Sequence, residues 1–258
     1  MERKLLTLSA AVFLLLAACG SETEQSNDQS TSENESVELD DTTSLTVTTN
    51  DDGTEVYEFK TGKITLKSSE DAACGKDYFG GPWNDGKNLM EEDTSVYVIG
   101  DSMIFKLYNG SELVLKATQF TDDSDYDQVF SYGYVANLDQ VDYWAVNAYG
   151  YEYHETYIIS KINGRITKSV GHPFASPSKN YLIMINSDME AGFTENHLTV
   201  FDIESDGLHE KGKLSLDTAS WSPRGIEWIS DSRFKVLQAR FNEETYGLDM
   251  SCAEGSIE

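Results

Sequence analysis

The sequence contains 258 residues, and its 45 acidic residues outnumber its 19 lysines and arginines, which gives a formal net charge of −26 at pH 7. A chain this acidic is repelled by phosphate groups, so nucleic acid is excluded as a partner. A cationic partner, a divalent metal or simple solubility in a salty medium is compatible with the charge.

The N-terminal residues have the three-part pattern of a secretory signal peptide. Arg3 and Lys4 provide a positive start, residues 5–16 form an uncharged apolar run, and two alanines lead to Cys19. A membrane-spanning helix needs about 20 apolar residues, which this run does not reach. The pattern therefore predicts a cleaved signal peptide over residues 1–18 and no retained membrane span.

The segment Leu16-Ala17-Ala18-Cys19 resembles the lipobox of bacterial lipoproteins. The resemblance implies that the Cys19 thiol receives diacylglycerol, becomes the mature N-terminus and, with further acylation such as palmitate, anchors the protein in a membrane. Gly20 stands where some inner-membrane lipoproteins carry aspartate. The family pattern therefore implies the outer membrane facing the periplasm if the cell has two membranes, with surface exposure an open alternative. An ordinary secretory signal that ends in a cysteine is the other interpretation.

Residues 20–43 contain eight acidic residues, no lysine or arginine, and only two aliphatic side chains. Such a segment buries too little apolar surface to offset its chain entropy. We expect residues 19–43 to form a lipidated cysteine and a disordered acidic tether, followed by one domain over residues 44–258. The two cysteines left in that domain, Cys74 and Cys252, are expected to form a disulfide in an oxidising compartment.

The strand signal recurs throughout the domain. Alternating β-branched and aromatic residues over 44–49, 55–60 and 63–67 predict strands. Asn109-Gly110 and Asn163-Gly164 each lie between alternating segments, which predicts two hairpins with type I′ turns. No segment has a helical period, so the sequence predicts an all-β antiparallel meander.

Four aromatic residues follow turn-forming tetrads at spacings near those of propeller blades: Tyr97, Tyr143, Tyr181 and Phe234. The segment FASPSKNYLIMI, with Ser176, Pro177 and Lys179, resembles the SPDGK strand-turn of periplasmic PD40 and WD40-like β-propellers. Ser178 replaces the usual aspartate, and the glycine is absent. The resemblance implies a propeller-like fold with four to five blade-like units, and an irregular sandwich or barrel is the alternative.

Two short motifs are similar to those of the GDSL hydrolases. Gly100-Asp101-Ser102 matches the nucleophile motif, and Asp206 with His209 has the D-x-x-H spacing of its partners. In that family the serine lies between a strand and a helix, whereas here a hairpin follows Ser102. We therefore interpret both motifs as turn residues and predict that the protein is not an enzyme and needs no cofactor.

Candidate metal ligands are few. Asp123, Asp125 and Asp127 alternate as at the start of a calcium loop, but the loop's glycine and final glutamate are missing. A solvated acidic loop is the favoured interpretation. The four histidines have no C-x-x-C or H-x-x-x-H partners, so the sequence predicts no zinc site: His154, His172, His197 and His209.

A tyrosine-rich segment over residues 143–157 is the best candidate for ligand binding. If its strand is unbroken, alternation places four side chains on one face: Tyr149, Tyr151, Tyr153 and Tyr157. An exposed aromatic stripe stacks sugars or holds a protein. Packing in the core or across strands is the alternative, and the favoured one.

Three functional hypotheses follow. The main one is a non-catalytic, lipid-anchored extracytoplasmic lipoprotein that binds an envelope protein or a glycan, or helps an assembly. The alternatives are an envelope hydrolase with an unassigned active site and a structural surface lipoprotein without a discrete ligand.

Overall fold

The computed structural model describes residues 45–69, 74–79, 87–119, 128–152, 154–189, 192–217 and 220–258. By its contacts, the chain divides into residues 1–38 and residues 39–258, and all the described residues belong to the second unit. The predicted signal peptide, Cys19 and the acidic segment up to residue 43 lie outside the described residues.

The described residues form seventeen strands in four antiparallel sheets. The first sheet contains β4 (Val96–Ile99), β5 (Ser102–Lys106) and β6 (Glu112–Lys116). The second contains β7 (Ser131–Leu138), β8 (Tyr143–Tyr149), β9 (His154–Ser160) and β10 (Ile166–Ser169). The third contains β11 (His172–Ala175), β12 (Tyr181–Asn186), β13 (His197–Glu204) and β14 (Gly207–Ser215). Each of these sheets is a meander of sequential strands.

The fourth sheet combines both ends of the described chain, in the order β1-β2-β3-β17-β16-β15. Its first three strands are β1 (Thr46–Thr49), β2 (Glu55–Phe59) and β3 (Gly62–Ser69), and its last three are β15 (Ser222–Trp228), β16 (Arg233–Asn242) and β17 (Gly247–Ile257). The two groups join where β3 pairs with β17, from Ile64 opposite Ile257 to Ser69 opposite Cys252.

The prediction of an all-β antiparallel meander is confirmed, and the four sheets agree with the expected four to five units. The alternation at 44–49, 55–60 and 63–67 marks β1 to β3 within two residues at each end. Both Asn-Gly hairpins are present, between β5 and β6 and between β9 and β10.

The predicted turn type in those hairpins is wrong. A type I′ turn needs positive φ at both central residues, but only Gly110 (φ 83°) and Gly164 (φ 73°) adopt it. The chain instead uses longer loops, closed by the Leu107 amide donating to Ser111 and the Ser160 amide donating to Arg165. The glycine supplies the single left-handed residue that such loops need.

Three of the four repeated aromatic positions are structurally equivalent. Tyr143 and Tyr181 are the first residues of the second strands of their sheets, and Phe234 is the second residue of β16. Tyr97 lies in β4, the first strand of its sheet, and does not share this place. Lys179, in the turn before Tyr181, adopts φ 65°, the left-handed conformation that a glycine would take without strain.

The second and third sheets each pack one face against the preceding sheet and the other face against the following sheet. Three apolar clusters therefore join the four sheets in chain order. Trp144 and Val146 of β8 face the first sheet, whereas Ala145 between them packs with Leu182 and Met184 of the third sheet. Ile183 and Ile185 face the fourth sheet, whose own contribution comes from five of its strands: Tyr57, Ile64, Leu66, Ile226, Phe234, Val236, Ala253 and Ile257. Face-to-face packing of successive meanders is consistent with a propeller-like arrangement of blades and with a sandwich.

The described residues also include a short helix, α1 (Lys87–Glu92), and a 3-10 turn at Asp139–Val141. The sequence did not predict α1, because fewer than two turns are too short for a helical period to appear. Neither helical segment of the described part of the chain has the length and apolar character needed to cross a bilayer.

The structure joins Cys74 to Cys252 in a disulfide, with the two Cα atoms 5.6 Å apart and the two residues 178 positions apart in sequence. Both side chains are buried and pack with Leu237. Because a bridge across so long a loop removes much of the chain entropy of the unfolded state, it is expected to stabilise the fold considerably.

We expect the Cys74→Ala, Cys252→Ala double variant to lose about 3–5 kcal/mol of its free energy of unfolding. Urea denaturation followed by tryptophan fluorescence measures this loss. A reducing agent should lower the midpoint of the wild-type protein toward that of the variant and leave the variant unchanged. Equal midpoints for the oxidised wild type and the variant would contradict a stabilising role.

Candidate functional site

A cleft of about 220 Å³ lies between the second and third sheets, where their connecting turns meet. Four segments of the chain line it: the β7–β8 connection, the β9–β10 turn, the β11–β12 turn at Lys179, and the β13–β14 turn. No single stretch of sequence forms this cleft, so its lining could not be recognised before the sheets were packed together.

The β7–β8 connection provides one wall. After the 3-10 turn, Asp142 adopts a left-handed conformation with φ 59° and accepts a hydrogen bond of 2.8 Å from the Tyr108 hydroxyl. The following residue, Tyr143, is buried. Burial, together with the nearby Asp206 and Asp142 carboxylates, raises the pKa of Tyr143. Its phenol therefore keeps its proton and can donate a hydrogen bond.

A buried ammonium group supports this wall from behind. The Lys161 side chain is 3% exposed and forms an ion pair with Asp139 and a hydrogen bond to the Asn137 side chain. Its Nζ atom also lies 5.3 Å from the centroid of the Trp144 ring. Because a buried charge is costly without partners, these contacts hold the 3-10 turn in one place.

Arg165 connects the β9–β10 turn to the β13–β14 turn. Its Nη1 atom donates a 2.9 Å hydrogen bond to the backbone oxygen of Asp206, a residue 41 positions away in sequence. Gly207 follows with φ 145°, a conformation that other residues rarely adopt, and a Cβ there would lie 3.2 Å from Arg165 Nη1. The guanidinium and the β13–β14 turn therefore fit closely.

Asp206 and His209 form a surface pair at the rim of the cleft. His209 Nε2 lies 2.8 Å from Asp206 Oδ1, and both side chains are exposed. The Asp206 carboxylate raises the pKa of His209 through this hydrogen bond, and the imidazole in turn lowers the pKa of Asp206. This pair carries charge of both signs in mildly acidic solution.

Glu204 adds a third group, and its ligand atom lies with those of Asp206 and His209 within 4.8 Å of one another. Two carboxylates and an imidazole could hold a divalent transition metal. The D-x-x-H spacing predicts only the pairing of Asp206 with His209, because nothing in the spacing shows that the hairpin turn also brings Glu204 to them.

The cleft therefore presents hydrogen-bonding groups and both signs of charge. Arg165 and Lys179 are cationic, Glu204 and Asp206 are anionic, and Ser160, Asn163 and Thr167 add neutral polar groups. Groups of this kind are suited to hold a small polar or zwitterionic ligand through directed hydrogen bonds.

The hydrolase-like motifs are placed apart. Gly100, with φ 60°, forms the β4–β5 turn, and the Ser102 hydroxyl donates to the neighbouring Asp101 carboxylate at 3.1 Å. Ser102 belongs to the first sheet, whereas Asp206 and His209 belong to the third. The family's strand-to-helix turn does not occur here, since β5 follows at once.

The tyrosine segment does not form a single strand. β8 ends at Tyr149 and β9 begins at His154, so the condition of an unbroken strand is not met. Tyr157 lies opposite Val146 and packs in the core between the first and second sheets, while Tyr149 lies opposite His154 on the other face. Tyr151 is 46% exposed in the connecting loop.

Several predicted site residues lie outside the described residues, so their roles stay predictions: Cys19, Asp123, Asp125, Asp127 and Tyr153.

Two histidines are shielded from solvent as neutral groups: His197 is buried, and His172 is half-buried. The His172 ring contacts the rings of Tyr78 and Phe174, with centroid distances of 4.7 Å and 5.0 Å, and those two rings also contact each other at 4.8 Å. His197 Nδ1 lies 3.0 Å from the Thr199 hydroxyl. Burial, with a smaller effect of Lys76 on the first and Lys213 on the second, lowers the pKa of each imidazole to about 4. Burial likewise lowers the pKa of His154.

Comparison with known proteins identifies no family. No protein-family model matches the chain, and no curated protein matches it significantly. Among solved structures, one similar chain is a candidate 6-phosphogluconolactonase from Bacteroides uniformis ATCC 8492. It is 10% identical, with a TM-score of 0.26, and the match covers 79% of this chain and 82% of that one. A likeness this low carries no inference about activity.

The buried histidines make stability depend on pH. An unfolded histidine has a pKa near 6.5, so below that pH protons bind the unfolded chain first and favour it. We expect stability to fall from pH 6.5 to about 4, with His172 contributing ~3 kcal/mol at the lower limit. The His172→Phe variant, which retains an aromatic ring in contact with Tyr78 and Phe174, should show a smaller fall in the free energy of unfolding measured by urea denaturation.

The matched control is His209→Gln, because the folded pKa of His209 is raised and its contribution to stability is lost as pH rises, not as pH falls. This variant should retain the full fall between pH 6.5 and 4. If His172→Phe and wild type lose stability equally over that range, the buried imidazole is not a source of acid sensitivity.

Proposed function

We propose that the protein is a lipid-anchored, extracytoplasmic binding protein of the bacterial envelope, and that the cleft between the second and third sheets holds a small polar ligand. The mixed-charge lining of the cleft carries this proposal. Arg165, Lys179, Glu204 and Asp206 offer both signs of charge within one opening. A segment of an envelope glycan or a peptide terminus has the matching polar groups.

The placement of the hydrolase-like motifs supports a binding role over a catalytic one. Ser102 bonds Asp101 on the first sheet, and the Asp206–His209 pair lies on the third. A serine hydrolase needs its nucleophile and base within hydrogen-bond reach. Hydrolysis of a simple ester such as 4-nitrophenyl acetate that is lost in a Ser102→Ala variant would contradict the proposal.

The lipid anchor rests on the lipobox resemblance around Cys19. We expect the Cys19→Ser variant to lose labelling by radioactive palmitate and to move from the membrane to the soluble fraction, because the thiol that carries the lipid is removed. Ser21→Ala is the matched control and should stay labelled and membrane-bound. Palmitate labelling that persists in Cys19→Ser would refute the anchor.

A blocking substitution tests the cleft. Ser205 lines the cleft and is exposed in the β13–β14 turn, so Ser205→Trp should fill the opening without disturbing the core. We expect N-acetylglucosamine or alanyl-alanine, as neutral and zwitterionic probes, to shift the amide resonances of Asn163, Thr167 and Gly207 in the wild-type protein. The shifts should disappear in the variant.

Ser230→Trp is the control, since Ser230 is also exposed but lies in the β15–β16 turn of the fourth sheet. It should leave the shifts intact. If neither probe shifts these three amides in the wild-type protein, or if both variants respond as the wild type does, the cleft does not bind ligands of this class.

A further inference from the structure

The hairpin of β16 and β17 extends beyond its neighbouring strands. β15 pairs with β16 only as far as Ala239, and β3 pairs with β17 only from Cys252 onward. Among the described strands, residues 240–251 therefore pair mainly with each other. We call residues 240–251 the projecting hairpin.

The projecting hairpin has one apolar and one polar face. Phe241 lies opposite Leu248, and the next residue on that face of β17 is Met250. These side chains are 55%, 42% and 44% exposed, respectively. Tyr246, in the turn, is 84% exposed and contacts Phe241 edge to face, with ring centroids 6.5 Å apart. Four adjacent exposed apolar side chains are unusual on the surface of a protein in water and indicate an interaction site.

The other face is built of polar groups that hold the turn. Asn242 donates a 2.8 Å hydrogen bond to Asp249 and accepts bonds from the Glu244 and Thr245 amides at 2.9 Å and 3.0 Å. Arg240 lies opposite Asp249 on this same face. The two faces therefore differ in chemistry along the whole length of the projecting hairpin.

Tyr246 is held in a strained conformation. Its φ is 52°, in the left-handed region that bulky residues seldom occupy. A glycine or asparagine would adopt this conformation at lower cost. Residues with backbone strain of this kind are concentrated at functional sites.

The base of the projecting hairpin is fixed. Cys252, the first residue of β17 to pair with β3, carries the disulfide to Cys74. A surface that is ordered before it binds loses less conformational entropy on association. The disulfide therefore favours the hairpin as a rigid docking element.

The charges around the apolar face indicate what it binds. Glu243, Glu244 and Asp249 are exposed beside it, against one cation, Arg240. This acidic rim disfavours insertion into a bilayer with anionic headgroups. A second copy of the chain would bring like charges together, which disfavours self-association through this face.

We propose that the projecting hairpin docks, through Phe241, Tyr246, Leu248 and Met250, into an apolar groove rimmed by lysine and arginine on another protein. The groove covers the apolar face, and its basic rim pairs with the acidic residues at the turn. This surface belongs to the fourth sheet and is separate from the cleft, so it goes beyond the function proposed above.

Photo-crosslinking of the full chain in the cell that makes the protein tests this docking. Benzoylphenylalanine replaces Tyr246 or Leu248 on the apolar face and, as matched controls, Arg240 or Ser251, which are exposed on the polar face. We expect a discrete protein adduct from the apolar positions only. Mass spectrometry should place the crosslink on an apolar surface flanked by lysine or arginine.

Charge reversal tests the basic rim. The Glu243→Lys, Glu244→Lys variant should lower the adduct yield roughly tenfold, because a rim of like charge slows association. The near-ultraviolet circular dichroism and the urea midpoint of this variant should match those of the wild type. Ser205→Trp, which blocks the cleft, should leave the adduct yield unchanged. The docking proposal is therefore tested independently of ligand binding in the cleft.

Four results would overturn the docking proposal. Adducts formed only between two copies of the chain would indicate a dimer, and adducts formed only with lipid would indicate a membrane contact. Equal crosslinking from both faces would show that the apolar face is not selected. The absence of any adduct from Tyr246 and Leu248 would show that the hairpin has no partner.

Discussion

The pairing of β3 with β17 is the constraint on which the rest of the structure depends. It joins strands from opposite ends of the described chain, and it is extended by the Lys63 and Glu258 backbones, whose amides each donate to the other's oxygen at 3.1 Å and 3.0 Å. Without it, β17 would be an edge strand, and the cluster that packs the third sheet against the fourth would lose Ile64 and Leu66. Contacts so distant in sequence are entropically costly to form, which explains why a disulfide reinforces this junction.

The packing of the sheets and the lengths of their strands determine where the two candidate binding surfaces lie. Sheets packed face to face bring their turns together at the ends, and the cleft lies where turns of the second and third sheets meet. In the fourth sheet, β16 and β17 are longer than the neighbouring strands β15 and β3 and therefore extend past them. The cleft is thus polar and built from several segments, whereas the projecting hairpin is one segment with an apolar face.

Sequence patterns predicted the strands well because alternation and turn residues act locally. The shared position of Tyr143, Tyr181 and Phe234 shows that a weak repeat was real in three of the four sheets. Local patterns failed where the conformation of a segment depended on contacts with other parts of the fold. The Asn-Gly turns adopted longer loops than expected, and the tyrosine segment divided into β8, which ends at Tyr149, and β9, which begins at His154. Tyr149 and Tyr157 therefore lie on opposite faces.

The sequence by itself determined the all-β class, the hairpin positions, and the acidic character of the chain. Only the tertiary structure decided which residues meet. Arg165 reaches Asp206 across 41 positions, and Glu204 joins Asp206 and His209 through a turn whose geometry no spacing reveals. The reason is physical: strand formation depends on residues a few positions apart, whereas a site depends on how sheets pack, and packing is set by side chains distant in sequence.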